Sequence, residues 1–190
     1  MRSDLIVALS LATLLLTAAV TDARTRRIPN WLTGGGIVIG LLVQALAPVG
    51  VGLFDYRWGG LGALQASFGL AAGLGLFLPL YLLRAVGAGD VKLLAMVGVW
   101  LGPRLLLGAT LLTLLVGGAM ALTTMLATRS TRRVASNVQL LLTTAVVGAH
   151  GGRLAAFDGA FTSGTRMPYA VAVCVGTLAQ VCWLLWQATA

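Results

Sequence analysis

Glutamate is absent from the 190-residue chain, lysine and histidine occur once each, cysteine occurs twice, and charged residues make up only 9%. Set against 58% hydrophobic residues and a mean hydropathy of +0.95, so little charge could not cover a folded chain with polar surface in water. That excludes a large soluble domain and points to a bilayer. The single histidine, His150 beside Gly151 and Gly152, reads as a solvated residue at the membrane interface, so no Ser-His-Asp or Cys-His arrangement is expected. Cys174 and Cys182 both fall in the last apolar segment, where they read as small core hydrophobes rather than a disulfide or a metal cluster. The formal charge of +8 would suggest nucleic acid for a soluble protein. In a membrane chain it reports orientation, and no nucleic-acid partner is expected.

What is present is a series of apolar runs at about 5–21, 31–48, 61–83, 91–101, 105–127 and 168–187. Crossing the hydrocarbon core takes roughly 20 apolar residues, so the expected fold is all-α, a polytopic membrane helix bundle of about six transmembrane helices in one domain over 1–190. The 91–101 run is too short to span alone and is expected to tilt or sit beside thinned lipid, ending at Gly102-Pro103. A further apolar stretch at 138–148 is marginal and is placed at the interface. Arg2 before the first run imitates a signal peptide, but Arg24, Arg26 and Arg27 make the charge heavier after it, which favours a retained helix.

Ten of the 13 basic residues fall in the first loop, the third loop and the 128–167 segment, which places those segments in the cytoplasm and both termini outside. Trp31, Tyr81, Trp100 and Tyr169 lie near predicted helix ends, as rings at headgroup level do. Gly69 and Gly73, and the Gly34-Gly35-Gly36 run, have the spacing of close helix contacts.

Of the five aspartates, Asp4, Asp55 and Asp158 sit in terminal or loop segments. Asp22 ends the first predicted helix and Asp90 begins the fourth, both at the cytoplasmic boundary, where an ionisable group is costly and usually functional. Each has a plain explanation on its own: Asp90 as a helix N-cap, Asp22 as a counter-charge to the arginines that follow it. Together they offer a specific chemistry. Facing carboxyls resist double ionisation and share a proton, so one can take a proton from water while the other donates to a peptide carbonyl oxygen. Gly87 and Gly89 permit the close approach that a loop presenting Asp90 requires. Pro29 forces Ile28 to be extended, and Asn30 is expected to cap the second helix.

The segments Asp22-Ala-Arg-Thr-Arg-Arg-Ile-Pro-Asn30 and Gly87-Ala-Gly-Asp-Val-Lys-Leu-Leu94 resemble the two aspartate motifs of the type IV prepilin peptidase family. A GxGD alone is unspecific; paired with IPN in this order it is not. The resemblance extends over essentially the whole chain and includes a Pro-Tyr start to the last helix, although Ala170 stands where glycine is expected. It implies Asp22 and Asp90 as the catalytic pair, Gly87 and Gly89 as the residues shaping the GxGD turn, and removal of leader peptides from prepilins or pseudopilins at the cytoplasmic face of the bacterial inner membrane. It also implies that the bundle's groove holds the substrate's apolar helix in contact with lipid. Methyl-transferring members add zinc-binding cysteine pairs that this sequence does not show, so no methyltransferase activity, zinc or S-adenosylmethionine is expected. Stand-alone peptidases of Tad/Flp pilus systems are the most similar format. The alternatives are a small transporter or proton relay using the same two aspartates, and a structural scaffold indifferent to both.

Overall fold

The computed structural model describes residues 2–46, 61–82, 86–127 and 168–189. The predicted stretch 138–148, His150, Asp55, Asp158, Arg57, Arg84 and the basic residues from Arg129 to Arg166 lie outside them. The described residues are helical: α1 Arg2–Thr25, α2 Asn30–Leu46, α3 Gly62–Leu82, α4 Ala88–Ala127 and α5 Tyr169–Thr189. Four helices are long and apolar enough to cross a membrane, and α2 is a shorter apolar helix. The chain divides into two compact units, Met1–Gly117 with Pro168–Ala190, and Gly118–Met167. In the second unit the described residues are the last turns of α4, where Thr124 returns its hydroxyl to the Met120 carbonyl at 2.7 Å.

In the first unit, α1, α2 and α3 show the 3.6-residue period that sorts side chains into an inward stripe and an outward face. On α1 the stripe is Ala8, Leu11, Leu15, Ala18 and Ala19, and one further turn brings it to Asp22, all of them buried. Outward faces carry Leu9, Val38, Leu42, Leu111, Leu115 and Trp186, each at least half exposed. In water such surface would be an aggregation hazard; in hydrocarbon it is the solvated side.

α4 is two helical arms joined at Gly102, whose φ of 72° and ψ of 170° leave the helix, followed by Pro103. Leu106 Cδ2 lies 3.1 Å from where a Cβ on Gly98 would stand. Eight residues of straight helix would separate them by about 12 Å, so the second arm folds back over the first. Only glycine adopts such a φ freely, and proline can begin the second arm because its missing N–H would lack a helical partner there anyway.

The first arm does not tilt into lipid as its length suggested. Leu93, Leu94, Met96, Val97, Val99, Trp100 and Leu101 are all 1% exposed or less, so protein surrounds the arm and bilayer thickness no longer sets its length. Glycines allow this. A Cβ on Gly69 would collide with the Gly98 carbonyl, and one on Gly73 would stand 2.6 Å from the Leu94 oxygen. Here α3 meets the arm backbone to backbone, the small-residue packing that lipid favours.

Trp100 also departs from expectation. It is not an interface anchor: its Nε1–H donates to the Gly36 carbonyl at 2.9 Å, with Gly40 leaving room for the ring. The Trp100 carbonyl accepts from Gln44 Nε2 at 3.1 Å, and Gln44 Oε1 accepts the Leu61 N–H at 3.2 Å. One buried glutamine thus satisfies a carbonyl at the bend and a free donor before α3. Of the glycine run on α2, Gly36 faces Met96 while Gly34 and Gly35 face open space. Cys174 is buried as expected, but Cys182 is exposed.

Gly69→Ala is expected to lower stability by about 1–3 kcal/mol through overpacking against an unyielding backbone. Gly75→Ala, with nothing within 4 Å of the new methyl, is expected to be neutral. Thermal unfolding of the two purified variants in the same detergent checks this difference.

Candidate active site

Asp22 lies one turn before the end of α1 rather than beyond it, because α1 runs on to Thr25. The helix then stops sharply. Arg26 takes a left-handed φ of 54°, and its N–H closes the last turn on the Asp22 carbonyl at 2.9 Å. Glycine is the usual residue at such a helix end, and a side chain there costs about 1 kcal/mol. Ile28 and Pro29 follow outside any helix, and the Pro29 carbonyl accepts the N–H groups of Leu32 and Thr33 at the start of α2. Proline therefore opens α2 with its backbone oxygen. Asn30, expected as a side-chain cap, is already the first residue of the helix, and its Oδ1 instead accepts from Lys92 Nζ at 3.0 Å.

Asp90 is likewise inside its helix, in the first turn of α4. Its Oδ2 accepts the Gly87 N–H at 3.0 Å, while its own N–H donates to the Gly87 carbonyl at 3.1 Å. This is the reach-back half of a capping box, with Gly87 in the capping position and the acid three residues on. The structural role anticipated for Asp90 is thus real but displaced: it secures the turn as the third residue. One carboxylate oxygen does this, and Oδ1 accepts no hydrogen bond among the described residues. Gly87 has no room to spare, since a Cβ would stand 3.2 Å from Asp90 Oδ2; at Gly89 a Cβ would stand 3.3 Å from Ile28. The turn after Asp22 and the turn carrying Asp90 are therefore in direct contact.

The two aspartates, 68 positions apart in sequence, are brought to the same end of the first unit, close enough for the Asp22 charge to act on Asp90. Both are buried, at 7% and 9% exposure. The start of α5 completes the setting. The Ala170 N–H donates to Asp22 Oδ2 at 3.2 Å, and the first-turn amides of a helix are unpaired donors at its positive end. Arg26 is the cation whose charge acts on Asp22.

Tyr169 is the residue whose importance the sequence left undervalued. Its ring meets Phe77 of α3 edge to face, centroids 5.9 Å apart at 61°. It fits a notch at Gly117, where a Cβ would stand 2.8 Å from Cε2, and it interacts electrostatically with Asp90. The Pro-Tyr pair that opens α5 was the available signal. Alanine in place of glycine at 170 leaves the contact with Asp22 intact, because that contact is made by the backbone.

Among the described residues no group of three or more His, Cys, Asp or Glu side chains could hold a metal ion. The arrangement offers two buried carboxyls, one oriented by a helix N-terminus and the other by its own turn. Arg26→Gly is expected to raise stability by about 1 kcal/mol by relieving the left-handed strain, visible as a higher melting temperature; an unchanged or lower one would show that the arginine side chain compensates for its backbone.

The model of the type IV leader peptidase family matches residues 9–122, a span that takes in both aspartates. No curated protein and no solved structure matches the chain significantly.

Proposed function

We propose that this chain, which belongs to the type IV leader peptidase family, hydrolyses the leader-peptide bond of prepilins or pseudopilins with Asp22 and Asp90 at the cytoplasmic face of the bacterial inner membrane. Family membership makes it a peptidase with a prepilin substrate. The observation that carries the aspartic mechanism is the approach of these two buried carboxyls, each held by a backbone N–H.

In the proposed reaction a water molecule lies between the carboxyls. The ionised partner takes its proton as the oxygen attacks the scissile carbonyl carbon, and the protonated partner donates to the carbonyl oxygen. Collapse of the tetrahedral intermediate returns a proton to the leaving amine and restores the pair, with no covalent adduct and no cofactor. Burial of both carboxyls strengthens these charge interactions relative to water. The reading covers a peptidase without methyl transfer, since both cysteines lie on α5 and are not paired as metal ligands. It treats residues 1–190 as one functional domain. Flp-type prepilins are the preferred substrates, by analogy alone with the stand-alone peptidases of Tad/Flp pilus systems.

Co-expression with pilin candidates from the same genome, read by the mass of the pilin, tests this. Wild type is expected to remove the leader. Asp22→Asn and Asp90→Asn are each expected to lose roughly 100-fold or more of the activity while remaining in the membrane fraction. Retained cleavage by both variants would overturn the assignment.

A further inference from the structure

The sole lysine in the chain stands two residues after Asp90, at the end of a buried arm. Lys92 is exposed, yet its ammonium is committed to one acceptor, Asn30 Oδ1 at 3.0 Å, across 62 positions of sequence. A helix-end lysine kept only for orientation would be free to reach lipid headgroups. Asn30 is equally informative, because its side chain leaves the helix-capping role to the Pro29 carbonyl and turns towards α4.

This bond joins the two segments that carry the aspartates. Asp22 leads through Arg26 and Ile28 to Asn30, and Lys92 lies on the same first turns of α4 as Asp90. An apolar contact runs beside it, where Ile28 packs over the face of Gly89. The loop after α1 is thus pinned to α4 by one polar and one apolar contact. On the side of α5, the Asp22 carboxylate accepts the Ala170 N–H. Asp90 and Lys92, at i and i+2, do not face each other on the helix, and the Lys92 ammonium is bonded to Asn30. Its contribution to the pair is one of placement.

We propose that Lys92 is a positioning residue of the site: through Asn30 it clamps the loop following Asp22 onto the first turns of α4 and so sets the separation of the two carboxyls. Positional error of about 1 Å in a reacting group can cost 100-fold in rate, so a solvent-exposed bond of small stabilising value can still govern turnover. This inference rests on the reading of Asp22 and Asp90 as the catalytic pair.

The test compares Lys92→Met, Asn30→Ala, the double variant and Lys92→Arg with wild type in steady-state cleavage of a prepilin. Both single variants are expected to lose roughly 10- to 100-fold in kcat with KM little changed. The double variant should be no worse than either single one, because the two side chains act through each other. Lys92→Arg, able to reach the same oxygen, should keep at least about a third of wild-type kcat, a recovery of about half the loss or more on a logarithmic scale. Losses confined to KM would instead make Lys92 a substrate contact and overturn the proposal, as would additive losses or an arginine variant as poor as methionine.

A second readout does not depend on activity. Spin labels at Thr25→Cys and Ala88→Cys, both exposed positions, in a Cys182→Ala background, should give a narrow distance distribution in the parent that broadens with Lys92→Met. An unchanged distribution overturns the clamp. If the parent enzyme leaves prepilins uncut, the peptidase reading falls while the label distances still decide whether the clamp exists.

Discussion

The contact of α3 with the first arm of α4 is the constraint from which the rest of the structure follows. An arm of roughly 20 Å cannot cross a bilayer, so its ends lie at membrane depth unless protein covers them. Gly69 and Gly73 bring the α3 backbone against the carbonyls of Gly98 and Leu94, Gly36 and Gly40 of α2 admit Met96 and Trp100, and the second arm folds back at Gly102. Covered from Leu93 to Leu101, the short arm carries a buried aspartate in its first turn.

That placement explains how two carboxyls can be both buried and usable. In hydrocarbon an ionisable group without partners would be prohibitively costly. Here the partners are backbone donors at helix beginnings: Gly87 before α4 and Ala170 at the start of α5. Such donors do not compete for protons and hold their geometry with the helix to which they belong. Apolar groups stand nearby: Ile28 packs against Gly89, and Tyr169, one residue before Ala170, meets Phe77 edge to face.

Much of this was legible in the sequence wherever the cause was local. The stripe Ala8, Leu11, Leu15, Ala18 is periodic, and continuing it one turn points to Asp22; the hydropathy boundary at 21 stopped short only because charge begins there. The hinge could be read from Gly102-Pro103, and the packing role of Gly69 and Gly73 from their spacing. What was not legible depended on distant partners. Trp100 near a helix end has the signature of an interface anchor, and only the Gly36 carbonyl, 64 positions away, turns it inward. Asn30 has the signature of a cap, and only Lys92 redirects it. The 91–101 run was correctly too short to span, but hydropathy cannot distinguish an arm beside thinned lipid from one enclosed by four glycine-bearing contacts.

The central claim is that the two aspartates activate water against a peptide carbonyl. The affinity of a prepilin peptide whose scissile amide is replaced by a hydroxyl-bearing tetrahedral isostere, measured against the unmodified peptide, tests it most directly. A site built for the tetrahedral intermediate should bind the isostere at least about 100-fold more tightly, an advantage that Asp22→Asn or Asp90→Asn removes. Equal affinity for the two peptides in the wild-type protein would contradict the account.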